Sequence, residues 1–294
     1  MTSAAAAATG ILVGTAIVAT RFVIDQTTPL SLALLRYLIG FCVLLPPALL
    51  SARVRFERRD LLPIGLLGIA QFGILIALLN YALQLIPAAR AALIFATLPL
   101  LTMVMAWALR LEPLSMAKTA GVLLTILGVG LALADKAFQP TAAADSGWLG
   151  ELAVFGSAVT GAACSVLYRP YLRRYPTLPV STIAMLAAIG FLAVLAAGDG
   201  FFAHLPRFTI GGWLAVVFIG VSSGLGYFLW LWALSRATPT RVTIFLALSP
   251  ITATALGVLF LGEGLTLLTV AGLTCVAFGL WAASSGERNL VSSA

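Results

Sequence analysis

Arg36 carries the most chemical information of any side chain in this sequence. It falls about six residues inside an apolar run at 31–50, where a guanidinium must snorkel to an interface or face a polar cavity. Its planar fork matches a carboxylate, so a solute bearing one is a partner it could hold; snorkelling or a structural hydrogen bond is the other reading. Gln71, Asn80, Tyr81 and Gln84 belong to the third apolar run. Asn80 and Gln84 are four apart, hence on one helical face, and their amides are costly in lipid unless they point inward. Ser223, Tyr227 and Trp230 follow at intervals of four and three, which makes one semi-polar aromatic stripe. Such a stripe could line a pocket for an amphipathic small molecule or could be core packing.

Other residues bear on shape and anchoring. Pro99 and Pro250 are expected mid-helix, where each removes an intrahelical hydrogen bond and can kink the helix, for gating or as a fixed bend. Glu112 and Glu263 are expected at helix ends near the interface, as structural anchors or gate charges. Arg90 and Arg241 begin helices and could pair with an acid or a headgroup. Tyr168 is expected to anchor a helix end at the membrane interface. Gly121, Gly128, Gly130, Gly272 and Gly279 permit close helix contact.

Catalytic patterns are missing. The three cysteines, Cys42, Cys164 and Cys275, have no CxxC spacing, and the single histidine, His204, falls in a loop expected outside. There is no GxxxxGK[ST] loop and no HExxH motif, so neither a metal nor a cofactor is expected, and the chain is not read as an enzyme.

The elements that must position these residues lie in a bilayer. Hydrophobic residues make up 61% of the 294 and charged ones 9%, too few to cover a water-facing surface. Runs long enough to cross a hydrocarbon core lie near 5–24, 31–50, 62–83, 88–109, 115–134, 148–168, 179–198, 211–234, 241–260 and 266–284. They are continuous rather than short and alternating, which predicts helices, not a barrel. No Lys or Arg precedes the first run, so it is read as a retained helix rather than a signal peptide. With the N-terminus in the cytoplasm, twelve basic residues fall on the inner side and five on the outer; clusters at 53–59 and 169–174 carry the bias. That bias accounts for the +7 charge without a nucleic-acid partner and predicts both termini inside.

The halves of the chain resemble each other. A shift of 151 residues matches Arg90 to Arg241, Ala96 to Ala247, Pro99 to Pro250, Glu112 to Glu263 and Gly128 to Gly279. A shift of 150 matches Pro29 to Pro179 and Ile39-Gly40-Phe41 to Ile189-Gly190-Phe191, but sets Arg36 against Leu186. Chance similarity between apolar helices does not supply Pro, Glu, Arg and Gly in one register. The expected organisation is a first five-helix repeat at 1–134, an outer connecting loop at 135–147, a second repeat at 148–284 and a cytoplasmic tail at 285–294. Five is odd, so the second repeat enters the membrane inverted, the construction common among secondary transporters.

These segments resemble the drug/metabolite transporter superfamily, specifically the EamA-like ten-helix carriers. The resemblance rests on "LLRYLIGF" at 34–41, "NYALQLIPAARAALIFATLPLLT" at 80–102 and "LEP" at 111–113. In the second half it rests on "WLWALSRATPTRVTIFLALSPITATALGVLFLGEGL" at 230–265 and "AGLTCVAFGL" at 271–280. The chain departs from the pattern in helix 1, where "GTAIVATRF" at 14–22 replaces a frequent tryptophan-glycine pair. The resemblance implies a carrier in the cytoplasmic membrane that exports small metabolites, in some members amino acids, including aromatic ones. It also implies that helices 5 and 10 pack away from the pathway. The expected partners are membrane lipid and an amphipathic solute. Drugs, sugars or nucleotide-linked metabolites are the nearer alternative; an intramembrane enzyme or a scaffold is the more distant one.

Overall fold

Apolar segments in lipid can satisfy their backbone polar groups only within themselves, so helix is the conformation this sequence demands. The computed structural model describes residues 1–23, 26–50, 54–86, 91, 94–137, 148–203, 205–261 and 267–285, and among them every regular element is helical. In order these are α1 (Thr2–Arg21), α2 (Pro29–Leu50), and α3 (Arg58–Gly68), which runs through a π-helical turn at Ile69–Ile74 into α4 (Leu75–Leu85). There follow α5 (Leu98–Ala108), α6 (Met116–Ala137), α7 (Leu149–Leu167), the short α8 (Arg169–Arg174), α9 (Thr177–Gly198) and α10 (Ile210–Leu234). The short α11 (Pro239–Ile244) leads through a 3-10 turn at Phe245–Ala247 into α12 (Leu248–Leu261), and α13 (Leu267–Ser285) is last. Among the described residues six helical stretches are long and apolar enough to cross a membrane: Thr2–Thr20, Pro29–Leu50, Arg58–Ala82, Leu149–Arg174, Thr177–Gly198 and Ile210–Leu234.

The fourth and ninth expected spans are interrupted. Within 88–109 a turn at 96–97 precedes α5, and 241–260 is divided between α11, the 3-10 turn and α12. Proline explains both breaks. Pro99 has no N–H for the Phe95 carbonyl, and Pro250 has none for the Leu246 carbonyl, so the helical ladder fails just upstream of each ring. The two prolines therefore stand in the first turn of the segment after the break, not in mid-helix.

The chain divides into two compact units, Met1–Ala77 with Leu167–Arg236, and Leu78–Val166 with Ala237–Ala294, so each draws helices from both halves of the sequence. In the first unit α10 packs against α1 and α2, and α9 against α2 and α3. The α2–α10 crossing brings backbones together. A Cβ placed on Gly224 would lie 2.7 Å from the Gly40 carbonyl oxygen, and one on Gly40 would lie 3.1 Å from the Gly224 nitrogen. The Thr9 hydroxyl ties α1 to the same helix by donating to the Gly226 carbonyl at 3.2 Å. In the second unit α6 packs along α13, and α5 meets α11. There a Cβ on Gly128 would fall 2.7 Å from the Gly272 carbonyl oxygen, and one on Gly279 would fall 2.7 Å from that of Gly121.

Candidate functional site

The close α2–α10 crossing sets Arg36 beside Ser223. The Arg36 Nε donates to Ser223 Oγ, and that hydroxyl donates onward to the Ile219 carbonyl at 2.5 Å. With its one proton committed to the backbone, the serine can only accept, which fixes the guanidinium. Arg36 is half-buried, and its guanidinium carbon stands 5.6 Å from the centre of the Tyr37 ring. Under the 151-residue shift Ser223 corresponds to Phe72, so the duplication does not reproduce this pair.

An aromatic row begins at Tyr37. Its ring lies 4.6 Å from Phe72, which the π-helical turn carries, and Phe72 meets Tyr227 edge-on at 4.3 Å. Tyr227 stacks against Trp230 at 6.1 Å and donates its hydroxyl to that of Tyr168 at 2.8 Å. All five rings are buried. Tyr168, expected at the membrane interface, is fully enclosed, because Tyr227 satisfies its hydroxyl from within the unit. Trp230 Nε1 in this row and Gln71 Oε1, on the same π-helical turn as Phe72, are buried without a hydrogen-bond partner among the described residues. Leaving such groups unpaired costs about 1–3 kcal/mol each. A π-turn in an otherwise α-helical span often marks a functional position. The ensemble offers a fixed cation for a carboxylate, rings for an apolar body, one spare donor and one spare acceptor. That is binding chemistry.

The remaining sequence candidates are dispersed. Asn80 is half-buried and Tyr81 is 49% exposed, and both belong to the second unit, whereas Arg36 belongs to the first. The Gln84 side chain, Arg90, Glu263 and His204 lie outside the described residues. Arg241 is half-buried in the last turn of α11. Among the described residues no group of three His, Cys, Asp or Glu side chains could hold a metal.

Glu112 lies past the end of α5, as expected, and its side chain is buried. It is 4% exposed, its Oε2 lies 3.2 Å from Lys118 Nζ, and its Oε1 accepts the Thr240 N–H at 3.2 Å. It thereby joins the turn after α5 to the first turns of α6 and α11, and its charge suits the electropositive start of α11.

One polar cluster was missed by sequence reasoning. Asp60, buried near the start of α3, accepts the Tyr175 hydroxyl at 2.7 Å and Arg174 Nη1 at 3.3 Å. The Tyr175 oxygen in turn accepts the Glu57 N–H at 3.2 Å, and its ring lies 4.5 Å from Phe56. The Glu57 N–H pulls the phenol's pKa down, but the Asp60 hydrogen bond, burial and the acidic charges outweigh it and hold the group above its ordinary 10.0. The cluster ties the start of α3 to Arg174 and Tyr175 at the end of α8 within the first unit. Glu57 and Asp60, two acids beside an arginine run, were the available signal.

Comparison with known proteins places these features. The family model described as the EamA-like transporter family matches residues 2–134 and 148–285. A protein of Archaeoglobus fulgidus described as an uncharacterized transporter is 24% identical over 275 residues, covering 91% of this chain and 93% of its own. A Salmonella typhimurium protein named "Probable amino-acid metabolite efflux pump" is 27% identical over 269 residues, covering 88% of this chain and 87% of its own. A solved crystal structure shares the fold with a TM-score of 0.84 at 22% identity, over 98% of both chains. The family's lipid setting accords with the six apolar helices among the described residues. With the family model spanning nearly the whole sequence, the chain belongs to the EamA-like transporter family of multi-pass membrane proteins.

Proposed function

We propose that this chain is a secondary transporter that exports small, partly apolar metabolites, amino acids foremost, across the cytoplasmic membrane by alternating access. The observation that carries the reading is the Arg36–Ser223 pair at the head of the aromatic row. A guanidinium fixed through Nε keeps its terminal N–H groups for a carboxylate, and the adjoining rings suit an apolar side chain. The name of the Salmonella relative supports the same solute class.

In this reading no bond of the solute changes. The repeats at 1–134 and 148–284 are inverted copies in a ten-helix carrier whose termini are both cytoplasmic, and they rock to expose the solute to either side. The five rings are buried in this conformation, so loading requires an opening movement. The breaks before Pro99 and Pro250 are where helices can bend to give it. Glu112, held by Lys118 and Thr240, is an anchor in this scheme rather than a proton carrier, and the solute's own gradient is sufficient to drive export.

The test is counterflow of a labelled amino-acid panel in proteoliposomes. Exchange above empty vesicles for amphipathic amino acids is the expected result. Absence of exchange for every member would sink the amino-acid assignment while leaving the carrier class intact.

A further inference from the structure

A second polar concavity lies in the first unit, away from the Arg36 group. It is a cleft of about 290 Å³ between the start of α2 and the turn that ends α9. Gln26, Thr27, Thr28 and Ser31 form one side, and Asp199 and Phe201 the other.

Its walls are set before any ligand arrives. The Thr28 hydroxyl oxygen accepts the Ser31 N–H at 3.2 Å and donates to the Ser31 hydroxyl at 2.8 Å. The Gln26 amide is clamped at both ends, its Nε2 donating to the Phe22 carbonyl at 3.0 Å and its Oε1 accepting the Thr209 N–H at 3.0 Å. Opposite them, Gly200 takes a φ of 79°, and the Phe201 N–H closes back on the Ala196 carbonyl at 3.0 Å. That left-handed residue ends α9 and fixes the exposed Asp199 at the rim, with Phe201 tucked below it.

Two features point to a ligand. Asp199 is the only ionisable group among the lining residues, and no base pairs with it among the described residues. Thr27 has its hydroxyl oxygen buried without a partner among them, although buried hydroxyls in folded proteins are nearly always paired. A carboxylate with neutral oxygens around it, and no lysine or arginine in the wall, selects a cation that can donate several hydrogen bonds. The apolar wall of Phe201 excludes a bare, strongly hydrated ion in favour of one carrying carbon. Arg207, in the same loop, does not line the cleft.

We infer that this cleft binds the ammonium group of a small organic amine, with Asp199 as counter-ion and the Thr27 hydroxyl as an acceptor. On the proposed topology it opens outward, and it is then the last station of an exported amino acid. That role, though not the binding itself, rests on the exporter reading.

The test uses the full chain in nanodiscs, titrated calorimetrically with n-butylamine and with butyrate. Saturable heat is expected for butylamine and none for butyrate. Asp199→Asn should weaken butylamine binding by about tenfold or more, since hydrogen bonds to charged groups contribute roughly 1.5–3 kcal/mol. Thr27→Val, which keeps shape and removes the hydroxyl, should weaken it several-fold. No saturable binding, or equal affinity in wild type and Asp199→Asn, would overturn the assignment. Thermal unfolding of each variant checks the fold. The two readings separate cleanly: butylamine binding without amino-acid counterflow defeats the exporter reading alone, and counterflow without binding defeats the cleft alone.

Discussion

At the scale of single residues, this protein turns on how two charges are held. Arg36 is oriented by a serine 187 residues away in sequence, and a lysine could not reproduce that arrangement, because an ammonium has no rigid fork. Arg36→Leu is expected to lower counterflow of carboxylate-bearing solutes by about tenfold or more, in line with one lost charge-assisted hydrogen bond. It should spare uncharged analogues, and Arg36→Lys should recover little; equal losses toward both solute types would count against direct recognition. Glu112 makes a different prediction. Glu112→Gln removes the negative charge 3.2 Å from the buried Lys118 Nζ, and a fall in thermal midpoint in detergent is expected. The double change Glu112→Leu with Lys118→Met should recover most of it, because removing both charges also removes their desolvation cost. Arg36 could be singled out from its depth in an apolar run. The burial of Glu112 could not, because its partner Thr240 comes from a helix 128 residues further on.

At the scale of elements, the positions of the helices were legible and their interruptions only partly so. Hydropathy finds a run of apolar residues, and the same run reads alike whether the helix is straight or broken. Pro99 and Pro250 announced a bend, but its place just upstream depends on which carbonyl loses its donor. Pro99→Ala and Pro250→Ala should each restore one hydrogen bond, leave the thermal midpoint unchanged or slightly raised, and slow counterflow severalfold. Unchanged flux would mark the breaks as fixed bends. The π-helical turn at Ile69–Ile74 gave no signal in composition, since one extra residue per turn leaves hydropathy as it was. The convergence of Tyr37, Phe72 and Tyr168 on the Tyr227–Trp230 stripe was equally invisible, because each residue lies in a separate segment. The glycines read from sequence as contact positions, Gly128 and Gly279 among them, do meet facing backbone between α6 and α13, whereas Gly40 and Gly224 at the α2–α10 crossing were not singled out. Gly224→Leu should separate those helices, detach Ser223 from Arg36 and abolish folded yield, whereas Gly190→Leu, with open space around it, should not.

At the scale of the whole molecule, orientation is the property most exposed to test. Arg59 and Arg174, one from each basic segment, flank Asp60 in the first unit, and the amine cleft is formed where α2 begins and α9 ends. In a cysteine-free background, a cysteine at Arg55 should be labelled only after permeabilisation, and one at Asp199 should be labelled in intact cells by an impermeant maleimide. The reverse pattern would invert the topology and place the amine cleft on the cytoplasmic face. Pro, Glu and Arg recurring in register are the sequence's argument for an internal repeat. The division into compact units was not readable there, because each unit takes helices from both halves and sequence order says nothing of that exchange.

The repeat is also where the two halves part company. Arg36 is set against Leu186 and Ser223 against Phe72, a ring of the Arg36 row itself, so in the proposed carrier the two mouths are not copies of each other. Detailed balance forbids such a passive carrier from pumping, and with equal solute on both sides its net flux is zero. Unequal mouths change something else, namely the half-saturation concentration seen from each face. A low KM on one face must then be matched by a proportionately low maximal flux from that face, so the ratio of the two is common to both directions. A cell would feel this as a valve that responds early to solute on one side and late on the other, with no energy spent to make it so.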